Sequence, residues 1–250
     1  MLSASERNPT PVMDPSRTKV SALNHNHGHN HHNTMPSASE QQLANHAMSP
    51  QSTQHIWVVT GPAGSGKSTV GRYLEQELGV PFLEGDDFHP ASNKAKMSTG
   101  TPLTDADRWD WLISLRSAAT TLLSTPVPKP MPTEPTATST PRGVVVACSA
   151  LKKKYRDVMR VAAYGSPNVH IHFVYLKLDA ETLYARVSAR QAHYMKQSMV
   201  ESQLRDLEEP RGDEWDALTV PVKVEMGMGD VQREVMRAVK GVVEEYEKAS

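Results

Sequence analysis

The chain has 250 residues, of which 38% are apolar, and its 27 basic side chains nearly balance 28 acidic ones. This balance excludes a large basic field, so we expect neither nucleic acid nor membrane as a partner. A single cysteine, Cys148, excludes a disulfide framework, and no apolar run reaches the roughly 18 residues of a membrane span. Without a recognisable secretory signal, the predicted location is the cytoplasm.

Residues 1–52 are rich in Ser, Asn, Pro, Gln and His and show neither helical nor strand periodicity. This composition predicts a disordered tail. Six of the 11 histidines lie between His25 and His46, and the run from His25 to His32 raises the alternative of a metal site. No carboxylate or cysteine completes such a site, so a solvated tail is the favoured interpretation.

The character of the sequence changes at Ile56. An apolar strand from Ile56 to Thr60 runs into a glycine loop, and a helix follows that ends at Gly79. A second strand is predicted from Val80 to Leu83. The next helix starts at about Asp105, which we take as its N-cap, and ends before Ser124.

Six prolines lie between Pro126 and Pro141, where a helix or a central strand cannot continue. We interpret residues 124–142 as a surface insertion in one domain of residues 53–250, with a linker between two domains as the alternative. A buried strand resumes at Val144–Cys148 directly after it.

Strands and helices alternate in the rest of the chain. We predict a helix over Lys152–Ala163, a strand over Val169–Leu178, a helix over Asp179–Arg190, a short helix through Leu207, a strand over Ala217–Val224 and a final helix with a valine stripe. This alternation predicts an α/β fold in three layers, with a parallel five-stranded sheet covered on both faces.

The glycine loop matches the pattern G-x-x-x-x-G-K-[ST] in full, between a strand and a helix as that pattern requires. Such a loop turns backbone N–H groups towards phosphate oxygens, so we predict an ATP site. Lys67 is expected to reach the β and γ phosphates, and the Ser68 hydroxyl to bind Mg²⁺. The predicted ATP-binding residues of the loop are Gly61, Pro62, Ala63, Gly64, Ser65, Gly66, Lys67, Ser68 and Thr69.

Two adjacent acids, Asp86 and Asp87, follow the second strand at the sheet edge where ligands bind. Because side chains alternate along an extended chain, we expect one of them to face the phosphate loop and the other to face solvent. The carboxylate facing the loop is a candidate general base for an attacking alcohol. A purely structural acidic turn before the next helix is the alternative.

Five blocks in this order resemble gluconokinases of the small P-loop type, over residues 54–248. They are Gly61–Ser68, Gly85–Pro90, Lys96–Leu112 with its Gly-Thr-Pro-Leu-Thr-Asp run, Cys148–Asp157, and Gln203 with Leu207–Pro210. The resemblance implies a P-loop fold similar to shikimate and nucleoside monophosphate kinases, with a small lid at about 188–198. It also implies transfer of the γ-phosphoryl group of ATP to the 6-hydroxyl of D-gluconate, giving 6-phospho-D-gluconate for the pentose phosphate pathway.

The resemblance also implies roles for particular residues. It makes Asp86 the base, and it makes Arg190 a catalytic lid residue that binds ATP together with Arg186, with a solvated helix face as the alternative for both arginines. Because the strand that ends at Cys148 carries no Asp for a magnesium ion, Ser68 and Asp86 are the expected magnesium ligands. Arg108 is expected to bind the gluconate carboxylate, with an ion pair to Asp105 or Asp107 as the alternative. The remaining residues expected to contact gluconate are His89, Ser149, Lys152 and Gln203.

Three alternatives stay open at this point. Another small-metabolite kinase of the same fold, such as a shikimate kinase, fits the loop but not the Cys-Ser-Ala-Leu-Lys-Lys sequence after Ala147. A nucleotide-binding regulator without catalysis fits less well, because Lys67, Ser68 and Asp86 are all present. A homodimer is also left open.

Overall fold

The computed structural model describes residues 53–125, 142–189 and 197–249. Five strands form one sheet: β1 (Gln54–Thr60), β2 (Phe82–Glu84), β3 (Arg142–Ala147), β4 (Val169–Lys177) and β5 (Ala217–Pro221). Their order is β2-β3-β1-β4-β5 and every neighbouring pair is parallel, as the alternating pattern predicts. The central strand β1 is apolar along most of its length because both of its faces are covered.

Seven helices of the described residues accompany the sheet: α1 (Lys67–Leu78), α2 (Ala91–Ser98), α3 (Asp105–Ser124), α4 (Lys153–Arg160), α5 (Ala180–Ala189), α6 (Gln197–Asp206) and α7 (Met228–Ala249). Two short 3-10 helices cover Gly85–Phe88 and Val161–Ala163. Two separate apolar cores confirm the three-layer prediction. One core joins Val59 and Val174 to α1, α5 and α7, and the other joins Val58 and Val146 to α3 and α4.

Several element boundaries differ from the predictions. The N-cap of α3 is Thr104 rather than Asp105, because the Thr104 hydroxyl and the Asp107 carboxylate form a reciprocal capping box. The same helix extends to Ser124, although the prediction ended it before this residue. Helix α2, which starts directly after Pro90, was not predicted, since eight residues with a single buried side chain carry little periodicity.

Three histidines lie in the amino-terminal halves of β1 and β4, whereas the glycine loop follows the carboxyl end of β1. His55 and His172 are almost fully buried, and the His55 Nδ1 atom lies 3.1 Å from His172 Nε2. The rings of Trp57, His170 and Tyr246 pack against this pair. Burial lowers the pKa of His55 to about 4 and that of His172 to about 3, so both rings are neutral near pH 7.

The residues described contain no helix long and apolar enough to cross a membrane. The tail at 1–52 and its histidine run, most of the insertion at 124–142 and most of the lid at 188–198 lie outside the described residues.

Candidate active site

A cavity of about 390 Å³ opens at the carboxyl ends of β1, β2 and β3. Because the strands are parallel, the segments that follow them meet at this one edge of the sheet. The glycine loop after β1, the acidic segment after β2 and Ser149 after β3 all line the cavity. The two motifs that the sequence separates by about 20 residues therefore share one site.

The glycine loop leaves β1 at Gly61 and ends where α1 begins at Lys67. Gly66 is the N-cap of α1 in the left-handed conformation, with φ of 101°, and contributes no side chain to the first turn. Gly64 has φ of 83°, and a Cβ there would lie 2.6 Å from Cγ2 of Val187 on α5. The loop therefore keeps its shape only with glycine at these positions.

Lys67, Ser68 and Thr69 occupy the first turn of α1 and line the cavity. The Lys67 ammonium donates a hydrogen bond to the Pro62 carbonyl at 3.0 Å, which holds it across the loop. The amino end of α1 adds a positive dipole beside it. This arrangement fits a bound polyphosphate, and the Ser68 hydroxyl is a hard oxygen donor of the kind that Mg²⁺ prefers.

The two acids after β2 differ from the expectation. Gly85–Phe88 form a 3-10 helix rather than an extended segment, so side chains do not alternate, and both Asp86 and Asp87 line the cavity. The expectation that one acid faces away into solvent is wrong for this reason. Both residues border the same ligand space, and the fold alone does not choose between them as the base.

His89 lies one turn after Asp86 and is buried, with its ring stacked on Trp111 at 4.1 Å between centroids. Burial lowers its pKa to about 4, an effect that Asp86 opposes and that Lys94 and Arg108 reinforce. The amide nitrogen of Asn93 donates to the Asp107 carbonyl at 2.6 Å and lies 3.4 Å from His89 Nδ1. The Nδ1 atom is therefore an acceptor, and the neutral ring carries its hydrogen on Nε2.

The Nε2 atom lies 4.0 Å from an Asp86 carboxylate oxygen, and both residues line the cavity. His89 thus presents an N–H donor next to the candidate base. A hydroxyl between the two would accept from His89 and donate to Asp86.

Arg108 lines the cavity and stacks on the Tyr155 ring, with its guanidinium carbon 5.4 Å from the ring centroid. Its Nη1 atom donates to the Tyr155 hydroxyl at 3.1 Å, and its Nη2 atom lies 3.6 Å from Asp206. Asp105 is 4.0 Å away, whereas Asp107 pairs with Lys96 instead. Of the two ion pairs considered from sequence, the structure contains the one with Asp105, at long range.

Lys152 does not line the cavity. Its ammonium pairs with Asp206 at 3.1 Å and with Asp105 at 3.3 Å, the two carboxylates that Arg108 also approaches. Ser149 does line it, and its carbonyl accepts hydrogen bonds from the Thr60 hydroxyl and the Gly61 N–H. Cys148 is buried, which raises the pKa of its thiol to about 12, so it has no nucleophilic role near neutral pH.

Gln203, expected to contact gluconate, has another partner here. Its Oε1 atom accepts a hydrogen bond of 2.6 Å from the backbone N–H of Ala63 in the glycine loop, although the residue also lines the cavity. Helix α6 is thereby tied to the nucleotide side of the site.

The two arginines expected at the lid have different positions. Arg186 lies on α5 and does not line the cavity, and its Nη1 atom is buried without a hydrogen-bond partner among the described residues. Arg190 lies outside the described residues.

Sequence reasoning missed several cavity residues, among them Glu84, Lys94 and Ser202. Lys94 lies on α2, and its ammonium donates to the Asp87 carbonyl at 3.3 Å. Because α2 itself was not predicted, nothing placed Lys94 near the site. Glu84 was recognisable in principle, since it ends β2 at the ligand-binding edge of the sheet.

Comparison with known proteins gives consistent relatives. Residues 56–210 match the family model described as an AAA domain. A probable gluconokinase of Schizosaccharomyces pombe is 40% identical over 195 residues, which are 78% of this chain and 93% of that protein. The thermoresistant gluconokinase of Escherichia coli is 39% identical over 67% of this chain and 85% of its own length.

The solved structure of a gluconokinase from Sinorhizobium meliloti superposes with a TM-score of 0.63 at 35% identity. It covers 78% of this chain and 97% of its own. The similarity therefore extends over nearly the whole length of each relative.

Proposed function

Because the chain belongs to the gluconokinase family of P-loop kinases, we propose that it transfers the γ-phosphoryl group of ATP to the 6-hydroxyl of D-gluconate. The observation that carries this proposal is the meeting of the phosphate loop, the Asp86–His89 segment and Arg108 in one cavity of about 390 Å³. The products are 6-phospho-D-gluconate and ADP.

Asp86 is the proposed general base. The 6-hydroxyl oxygen attacks the γ-phosphorus, its proton passes to the Asp86 carboxylate, and the bond between the γ-phosphorus and the bridging oxygen of ADP breaks. The N–H of His89 beside Asp86 orients the hydroxyl. Lys67, held across the loop, neutralises charge on the phosphates.

Ser68 and Asp86 would hold Mg²⁺, since both line the cavity and both offer oxygen donors. When bound, the ion would offset negative charge on the phosphate oxygens. The proposed contacts of ATP are Gly61 to Thr69, together with Arg186 on α5 and Arg190 of the lid.

Arg108 is the proposed partner of the gluconate carboxylate, supported by its position in the cavity and its spare N–H donors. Ser149 and Gln203 are proposed to contact the sugar chain. Lys152 is proposed to act on the same carboxylate from behind Arg108, since it lies outside the cavity lining.

We also propose that residues 53–250 are the catalytic domain and that residues 1–52 are dispensable for the chemistry. Cytoplasmic location is retained as a proposal and is tested by cell fractionation. A homodimer stays a question for sedimentation of the purified chain.

The test is a coupled assay for ADP with purified full-length protein, Mg²⁺ and ATP. We expect turnover with D-gluconate and none with shikimate or AMP. Turnover with shikimate in place of gluconate would transfer the proposal to another kinase of this fold. No turnover with any acceptor, despite ATP binding, would favour a regulator.

A further inference from the structure

Behind the acceptor side of the cavity lies a cluster of alternating charges, which we call the Arg108 cluster. It joins Arg108 on α3 to Lys152 and Tyr155 at the start of α4. Two carboxylates, Asp105 and Asp206, complete it. Asp206 is the last residue of α6, so it reaches the cluster from a different element than Asp105 does.

The two carboxylates are held to different extents. Asp105 accepts hydrogen bonds from the Lys154 ammonium and the Tyr155 hydroxyl, and these hold the pKa of its carboxyl well below its usual range. Asp206 instead lies 3.1 Å from Lys152 Nζ and 3.6 Å from Arg108 Nη2. The Arg108 contact of Asp206 is longer than a hydrogen bond, and Asp206 lacks the Lys154 and Tyr155 hydrogen bonds that hold Asp105, so Asp206 is the more easily displaced of the two.

Arg108 has donors to spare. A guanidinium carries five N–H groups, and the described residues take one of them in a hydrogen bond of 3.1 Å, to Tyr155. The side chain is 12% exposed, and the residue lines the cavity. A carboxylate entering from the cavity can therefore form the paired hydrogen bonds that Asp206 does not form.

We infer that Asp206 competes with the carboxylate of the acceptor for Arg108 and Lys152 and has to yield when the acceptor binds. This inference rests on the proposed function. Two carboxylates at one guanidinium repel each other, so the bound acceptor and Asp206 weaken each other's interaction with Arg108. The side chain of Asp206 is 28% exposed, which gives it a route to solvent.

Displacing Asp206 does not detach α6. Gln203, one turn earlier on the same helix, stays bonded to Ala63 of the glycine loop. After the helix, the Glu208 N–H donates to the Leu151 carbonyl at 2.9 Å, and the Glu208 carboxylate accepts from the Lys153 N–H at 2.7 Å. The effect of Asp206 is therefore confined to the acceptor, and ATP binding is unaffected.

The test is Asp206→Asn in the full-length enzyme, with steady-state kinetics for both substrates. Removing a partly exposed competing charge should lower KM for gluconate about fivefold, with kcat within about twofold and KM for ATP unchanged. Asp110→Asn is the matched control, because Asp110 is exposed on α3 and the same charge is removed outside the cluster. The control should leave KM for gluconate unchanged.

A KM for gluconate that is unchanged or raised in Asp206→Asn would overturn the inference, since Asp206 would then be neutral or would hold Arg108 in place. Asp206→Ser serves as a second variant if the first lowers the melting temperature strongly, and it carries the same expectation. In an Arg108→Ala background the effect of Asp206→Asn should shrink. Turnover of gluconate by the unaltered enzyme distinguishes failure of this inference from failure of the proposed function. If the unaltered enzyme does not turn over gluconate, the proposed function itself is refuted.

Discussion

Arg156 and Glu214 form a buried two-point ion pair, with Nε to Oε2 at 2.7 Å and Nη2 to Oε1 at 2.6 Å. Both side chains are at most 3% exposed. The remaining Arg156 nitrogen donates to the carbonyls of Ala150 and Leu151, each at 3.2 Å. The pair therefore fixes the segment after β3 from which Leu151 lines the cavity.

Arg156→Met should destabilise the protein by about 3 kcal/mol, because buried Glu214 loses its two-point partner and keeps Arg160, while the carbonyls of Ala150 and Leu151 lose their hydrogen bonds. The measurement is urea unfolding followed by circular dichroism. The double variant Arg156→Met/Glu214→Gln should regain part of this loss. A double variant no more stable than the single one would mean that packing, and not the unpaired charge, dominates the cost.

Acid should lower the stability through the buried histidine pair. His55 and His172 have folded-state pKa values of about 4 and about 3, below the ordinary value of 6.5. Between these folded-state values and 6.5, the unfolded chain therefore binds more protons than the folded protein does. The free energy of unfolding should therefore fall as the pH drops from about 6.5 towards 4, by up to about 1.4 kcal/mol per pH unit and histidine. Denaturant titrations across this range measure the slope.

His172→Phe keeps a ring against Trp57 and should reduce that slope, whatever it does to stability at pH 8. An unchanged slope would assign the acid sensitivity to other groups.

Glu214 loses its contribution to stability at a lower pH than the histidines do. Burial raises the pKa of its carboxyl, but the hydrogen bonds from Arg156 and Arg160 outweigh burial and lower this pKa to about 2. Its contribution is present above about pH 4.5 and is lost as the pH falls towards 2.

Asp86→Asn should lower kcat by about 10²-fold or more, the usual scale for removing a general base, while KM for ATP changes little because Lys67, Ser68 and the glycine loop still hold the nucleotide. Asp87→Asn is the informative comparison, since both carboxylates line the cavity. Equal losses in the two variants, or a loss in Asp87→Asn alone, would move the base from Asp86.

Gly64→Ala should abolish turnover or raise KM for ATP strongly, because the new Cβ would lie 2.6 Å from Val187 and the residue has φ of 83°. Gly79→Ala is the matched control. Gly79 also has a positive φ, of 62°, but an added Cβ there meets nothing within 4 Å. The control should lose about 1 kcal/mol of stability and keep its kinetics, a contrast that calorimetry and the ADP assay reveal together.

Deleting residues 1–50 should leave kcat and both KM values unchanged, because every proposed catalytic group lies after residue 60. The truncated and full-length proteins are compared in the same assay. A large loss of activity, or a new response to divalent metal with the full-length chain alone, would show that the tail contributes to function.

The loop motif and the Asp86–His89 segment were predictable because each depends on neighbouring residues. A glycine loop between a strand and a helix specifies its own phosphate-binding geometry. The alternation of strands and helices likewise predicts the parallel sheet, which places these segments at one edge. The helix Ala91–Ser98 and its Lys94 were not predicted because an eight-residue helix with one buried side chain, Asn93, carries little periodic signal.

The sequence by itself thus determined the fold class, the nucleotide loop and the residue types available for phosphoryl transfer. The tertiary structure decided which partners those residues have. It places Asp87 with Asp86 in the cavity lining, gives Gln203 a hydrogen bond from the glycine loop and places Asp206 3.6 Å from Arg108. The physical reason is that side-chain pairing over 98 positions, as between Arg108 and Asp206, depends on how helices pack in space, and local sequence pattern does not record that.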